Sequence, residues 1–216
     1  MSDDDPLQFA VERQERSVQE ARQSFGDEHP QTLTAMLDLA EALWAQGRLS
    51  AARKLEEQVV AGRRRLLGPD NADTLKAVGK LAVTMAAQGE LAPARQLQED
   101  VVAGMRALDG ETGRDTLRAV NNLAGTVAAQ GDLAGAREIL QSVIAAMIDE
   151  FGELHPDCLA AMGNLAGILW QEGEPAEAYE LQRQVVELYR RVNDADDRAG
   201  LAAAAVLETM ERDSGF

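Results

Sequence analysis

The chain has 216 residues, a formal net charge of −16 and a single cysteine, Cys158. That charge would repel the phosphates of nucleic acid and anionic membrane surfaces alike, and one cysteine excludes an intramolecular disulfide framework and points to an intracellular setting. The N-terminus, MSDDDPLQF, has neither the basic nor the apolar region of a signal peptide, and no stretch approaches the roughly 18 uninterrupted apolar residues of a membrane span, so the expected location is cytoplasmic.

Residues 1–24 read as a leading half unit. Asp5 is placed to cap a helix whose first turn accepts Pro6, because proline there forfeits no needed donor. Leu7, Ala10, Val18 and Ala21 form its apolar stripe. Four units of 42 residues follow, at 25–66, 67–108, 109–150 and 151–192. The segment TLRAVNNLAGTVAAQGDLAGAREILQSVI from Thr116 recurs one period earlier as TLKAVGKLAVTMAAQGELAPARQLQEDVV from Thr74, with related copies from Thr32 and Cys158. An uninterrupted period of this length means one supersecondary unit stacked repeatedly.

Each unit opens with a loop, FGDEHP, LGPDNA, DGETGR or FGELHP, in which Gly26, Gly68, Gly110 and Gly152 can take the left-handed conformation that ends the preceding helix. Helix A then carries apolar residues at a helical period, Leu33, Met36, Leu39 and Leu43 in the first unit. Gly47 and its equivalents stop it. Helix B follows within a few residues with Leu49, Ala52, Leu55, Val59 and Val60, so the two form an antiparallel hairpin. Two alanine columns, Ala40, Ala82, Ala124, Ala166 and Ala52, Ala94, Ala136, Ala178, let the helix axes approach near the short end of the roughly 8–10 Å range. Residues 193–216 read as a closing half unit, in which Leu201, Ala203 and Leu207 continue the columns of Leu159, Ala161 and Leu165. Glu208 and Glu211 then break the pattern, as the polar face of an end unit requires. The fold class is therefore all-α, an array of antiparallel helix pairs with four full repeats and a half repeat at each end.

The pattern L-x-x-L-A/G, then Q-G, then an alanine resembles the tetratricopeptide repeat. The 42-residue period and the unit head F-G-x-x-H-P-x-T/C-L, best matched by FGDEHPQTL at Phe25–Leu33 and FGELHPDCL at Phe151–Leu159, resemble the long variety found in kinesin light chains and their bacterial relatives. NNLA at Asn121–Ala124 and GNLA at Gly163–Ala166 extend the match. The second and third units lack the His-Pro pair, and the third has Asp109 in place of an apolar residue. The resemblance implies a right-handed α-solenoid (superhelix) whose A helices line a concave groove, and a scaffold that binds a peptide or partner helix.

On helix A, the stripe beside the core stripe should face that groove. It reads Thr34, Asp38, Glu41; Lys76, Lys80, Val83; Arg118, Asn122, Gly125; and Ala160, Asn164, Gly167. Cations and amides are what is needed to hold a carboxylate and an extended backbone. In related proteins similarly placed Lys, Arg and Asn residues clamp a peptide carboxylate. The candidate ligand-binding residues are accordingly Lys76, Lys80, Arg118, Asn121, Asn122 and Asn164. Trp44 and Trp170, which flank the smaller Ala86 and Ala128 in their column, are candidate apolar anchors. Gly79, Gly125, Gly163 and Gly167 would widen the trough. The competing structural reading has the cations pairing with nearby Asp73, Asp115 or glutamates, the asparagines bracing neighbouring helices and the tryptophans filling end-unit gaps.

No constellation argues for catalysis, a metal or a cofactor. His29 and His155 stand three repeats apart at helix-start positions, where a capping role is expected, and Cys158 replaces Thr32, Thr74 and Thr116 in a structural column. The sequence thus points to a non-enzymatic adaptor for a protein or peptide with an acidic or carboxylate-bearing element, without nucleic-acid or membrane partners. A sensor or carrier of a small signalling peptide or metabolite is the alternative, and self-association through the end repeats is the other interaction such an array offers.

Overall fold

The computed structural model describes residues 6–192 and 198–214. Over these residues it contains ten α-helices and no strand: α1 (Pro6–Phe25), α2 (Pro30–Ala45), α3 (Leu49–Leu67), α4 (Ala72–Ala87), α5 (Leu91–Asp109), α6 (Arg114–Ala129), α7 (Leu133–Phe151), α8 (Pro156–Glu172), α9 (Pro175–Val192) and α10 (Arg198–Ser214). This is the all-α, α-solenoid class of antiparallel helix pairs. The starts of α2, α4, α6 and α8 recur at the 42-residue period of the sequence, as do those of α3, α5, α7 and α9. The proposed Asp5 cap lies outside the described residues.

The chain divides into two compact units between Leu108 and Asp109. In the first, α1 packs on α2, α2 on α3 and α3 on α4; in the second, the succession runs from α6 to α10, with α6 also touching α8. The short turn inside each pair has one construction throughout. Arg48 N–H donates to Leu43 O at 2.9 Å, Glu90 to Met85 O at 3.0 Å, Asp132 to Val127 O at 3.2 Å and Glu174 to Leu169 O at 3.0 Å. These are the long-reach bonds of a Schellman ending, which satisfies carbonyls that a helix terminus would otherwise orphan. The glycine before each donor has positive φ, as that ending requires.

The glycines at the unit heads behave differently. Gly68 (φ 88°, ψ 165°) and Gly152 (φ 85°, ψ 156°) have positive φ but extended ψ, a region that glycine alone populates freely and not the left-handed helical one expected for the head glycines. The helix stops there all the same, with the N–H of Gly68 donating to Arg64 O and that of Gly152 to Ile148 O.

All eight alanines of the two columns are buried, at no more than 1% exposure. A second close approach was not evident beforehand. A Cβ added to Gly62 would stand 3.0 Å from both methyl carbons of Leu33, and one added to Gly104 would stand 2.7 Å from a methyl of Leu75. Helix B thus lays its backbone directly on the first leucine of helix A. In the second unit the column is filled instead by Ala146 and Leu188, packed in the core with Leu117 and Leu159.

That contact explains a departure in α10. Leu201 continues the column of Leu159 in sequence but is 56% exposed, whereas Ala203 and Leu207 are half-buried and Met210 is buried. Leu33 and Leu75 are covered by the helix that follows them, and among the described residues no helix follows α10. The α1 stripe shifts for a related reason: α1 packs on α2, and its deepest residues are Val11 and Val18, with Leu7, Ala10 and Ala21 only half-buried.

Candidate functional site

The helix starts set the frame for the site. His29 caps α2 through Nδ1, which accepts from Gln31 N–H at 3.3 Å; Asn71 Oδ1 accepts from Asp73 N–H at 2.9 Å for α4; His155 Nδ1 accepts from Asp157 N–H at 3.2 Å for α8. Phe25 and Phe151 lie against the capping imidazoles, with ring centroids 4.8 and 5.2 Å apart. Both histidines therefore cap helices, as expected.

The third repeat solves the same problem with other residues. Gly113 has no side chain to cap α6, and Asp109 Oδ2 accepts from Asp115 N–H at 3.2 Å instead. A Cβ on Gly113 would collide with that same oxygen and with the carbonyl oxygen of Asp109. The two departures from the family head, an acid in place of an apolar residue and a glycine in place of a cap, are one compensated change.

Cys158 is fully buried, and desolvation pushes its thiol above the ordinary value, away from the reactive thiolate. Its neighbour in sequence, His155, uses Nδ1 for the cap. Among the described residues no three His, Cys, Asp or Glu side chains gather as a metal site, and no helix is long and apolar enough to cross a membrane.

The stripe beside the core is exposed on the A helices, as its register requires. In the first unit, Thr34, Asp38, Glu41, Lys76 and Lys80 are exposed and Val83 is half-buried. Lys80 Nζ donates to Glu41 Oε2 at 2.7 Å, joining α4 to α2. Trp44 is 43% exposed near the end of α2. One surface depression of this unit, lined by Arg22, Leu33, Met36, Gly62 and Arg65, lies off the stripe.

In the second unit, Arg118, Asn122, Gly125, Ala160 and Asn164 are exposed and Gly167 is half-buried. Two connections cross between α6 and α8. Asn164 Nδ2 donates to Asn121 Oδ1 at 3.1 Å. Lower on the same helices, Arg114 Nε donates to Asp157 Oδ2 at 2.7 Å, and Arg118 Nε lies 3.4 Å from Asp157 Oδ1. The hydrogen bond to Asp157 holds the Arg114 guanidinium above its ordinary value. Two arginines one helical turn apart thus converge on the two oxygens of one carboxylate in the first turn of α8.

Lys80 and Arg118 therefore have carboxylate partners on the neighbouring A helix, Glu41 and Asp157, and the glutamate pairing of the structural reading is met at Lys80. Asn121 and Asn164 brace α6 against α8. Trp170 is half-buried against the cluster that contains Leu169, Ala178 and Met210, and so serves packing where Trp44 stands open. Lys76 and Lys80 belong to the first unit, and Arg118, Asn121, Asn122 and Asn164 to the second. Arg114 and Asp157 were missed at the sequence level. Partners on successive A helices stand 39 residues apart for Glu41 and Lys80, and 43 apart for Arg114 and Asp157 and for Asn121 and Asn164, so no single separation in the sequence marks them.

A Cβ added at Gly125 or Gly167 would meet nothing within 4 Å. Glycine inside a helix costs up to about 1 kcal/mol relative to alanine, and here the protein's own packing does not require it.

Tetratricopeptide repeat models match residues 4–65 and 115–206, and a second such model matches 74–110. A putative kinesin light chain of Podosopora anserina with nearly identical TPR-like repeats is 31% identical, over 86% of this chain and 87% of that one, with a TM-score of 0.62. Rap protein complexed with Competence and Sporulation Factor shares the fold at 11% identity, over 95% of this chain and 60% of its own, with a TM-score of 0.74. Bacillus thuringiensis PlcR, in complex with the peptide PapR7 and DNA, does so at 14% identity, over 95% and 71%, with a TM-score of 0.65. No curated protein matches the sequence significantly. The family models cover most of the chain and the repeat geometry agrees with them: the chain belongs to the tetratricopeptide repeat family, in its kinesin-light-chain-like type.

Proposed function

We propose that this protein is a non-enzymatic interaction scaffold whose exposed A-helix faces bind an extended peptide or protein segment. The observation that carries the reading is the face of the second unit. There Arg118, Asn122 and Asn164 stand beside Gly125 and Gly167, above which the protein leaves open space. Amides on a rigid helical surface offer both a donor and an acceptor to a peptide backbone, the arginines suit a carboxylate side chain, and helix-borne groups lose little entropy on binding. Lys76 and Lys80 provide the corresponding cations in the first unit, with Trp44 as its exposed aromatic. The exposed A-helix face of each unit is the surface this reading uses.

Selection from a random peptide display library tests it. Peptides recovered by the wild type and lost with the Asn122→Ala, Asn164→Ala double variant support the reading; peptides retained equally by both would place binding elsewhere. A narrower version, a sensor of a short free peptide, draws support from the fold shared with PlcR, a protein bound to the peptide PapR7. It predicts that a selected peptide raises Tm in proportion to log concentration without any protein partner, since binding to the folded state stabilises by mass action.

A further inference from the structure

Arg114 and Arg118 lie on successive turns of one exposed face of α6, and their side chains remain about half exposed. Asp157, by contrast, is 17% exposed and presents one oxygen to each guanidinium. It sits in the first turn of α8, where the helix terminus favours an anion. In the first unit a single, more exposed pair crosses between A helices, with Glu41 on α2 holding Lys80 of α4. In both units a carboxylate from the neighbouring A helix already occupies a cation that an anionic ligand would seek.

We propose that Asp157 is a built-in competitor that sets the specificity of the Arg114–Arg118 pair. An acidic segment binds there by taking Asp157's place on the guanidiniums. This rests on the peptide-binding reading of the A-helix face. The exchange has a consequence for ligand chemistry. One incoming carboxylate merely replaces another and leaves Asp157 beside it, so a single acidic group gains nothing. Two or more adjacent carboxylates can engage both guanidiniums on their outward edges and offset that repulsion. The pair therefore selects a run of acidic residues over an isolated one, and Asp157 supplies the selectivity by opposing the weaker ligand.

The test uses two fluorescein-labelled, N-acetylated peptides, hexaglutamate and a hexamer of five glutamines with one glutamate, titrated against the full chain by fluorescence anisotropy at low salt. The wild type should bind hexaglutamate and discriminate against the single-glutamate peptide. Asp157→Asn should tighten hexaglutamate by about three- to fivefold, the loss of one competing carboxylate from two half-exposed guanidiniums, and should tighten the single-glutamate peptide enough to narrow the discrimination. Adding Arg118→Gln to Asp157→Asn should reverse the gain, and circular dichroism will show whether each variant keeps its helices. Unchanged or weaker binding by folded Asp157→Asn would overturn the proposal, as would hexaglutamate binding to neither protein. If the display library nonetheless yields neutral peptides that need Asn122 and Asn164, the scaffold reading stands and only the competitor role of Asp157 fails.

Discussion

Glu56 places a carboxyl group in the core, on α3 at 4% exposure, at a position where the other repeats carry Gln98, Leu140 and Gln182. Its Oε1 accepts from Thr84 Oγ at 3.0 Å, while Oε2 is buried without a partner. Three periods later, Gln182 Nε2 donates to Ala203 O at 2.7 Å, and the equivalent acceptor for Glu56 is the carbonyl of Ala77. A carboxylate cannot donate to a carbonyl; a carboxylic acid or an amide can. Burial pushes the Glu56 carboxyl above its ordinary value, opposed by the Thr84 bond and the Lys80 charge, with Glu57 adding a small upward push. The sign follows from linkage: a carboxyl whose folded value lies above its unfolded one contributes fully below the unfolded value, near pH 4, and loses that contribution as pH rises toward the folded value. Glu56→Gln should therefore raise stability by about 1 kcal/mol at neutral pH, with the difference closing as pH falls toward 4. Urea denaturation at pH 7 and pH 4 checks this; a variant less stable at pH 7 would refute it.

Among the elements, the start of α6 makes the sharpest prediction. Asp109→Ala removes the oxygen that caps Asp115 N–H and should cost about 1 kcal/mol. Gly113→Asn alone should also destabilise, because its Cβ would collide with Asp109. Asp109→Leu with Gly113→Asn restores the Leu67 and Asn71 head of α4 and removes the collision with the Asp109 carboxylate, but the new Cβ still meets the carbonyl oxygen of residue 109, so the double should recover only part of the loss. Thermal melts of the singles and the double close this cycle, and additive losses would contradict it. Packing offers a second case: Ala124 is wholly buried in the core of the second unit, so Ala124→Leu should cost about 1–3 kcal/mol by overpacking. Helices, turns and alanine columns were legible because each depends on residues a few positions apart, and four copies repeat the evidence. The site was less so. The A-helix stripe followed from helical period, but the partners Glu41, Asp157 and Asn121 depend on how far one A helix is offset from the next. Nothing local encodes that offset. Trp44 and Trp170 show the same limit: they share a column, yet Met210 of α10 stands in the cluster that half-buries Trp170, while Trp44 remains exposed. The exposure of Leu201 depended likewise on a helix beyond its own.

At the scale of the molecule, repetition makes each compact unit a variation on one scheme, with Arg53 and Arg137 as its recurring staples. Arg53 Nη1 donates to Gln88 at 2.9 Å and to Glu90 at 2.6 Å, and Arg137 Nη1 to Glu172 at 3.0 Å and Glu174 at 3.1 Å, at the same two sequence separations. These arginines tie a B helix to the following turn. Such bonds and the caps add to the apolar burial along the columns that stabilises an array without a single core. What they leave unexplained is the A-helix face, where glycines stand over open space and amides and cations are held in register on a strongly acidic protein. The central claim is that this face receives a peptide. Photo-crosslinking tests it most directly: benzoylphenylalanine is placed at exposed Ala160 on α8, or at exposed Gln141 on α7 as the comparison, and irradiated with a display-selected peptide. The account predicts a peptide adduct from position 160 that excess unlabelled peptide abolishes, and none from position 141. An adduct from 141 alone would contradict it.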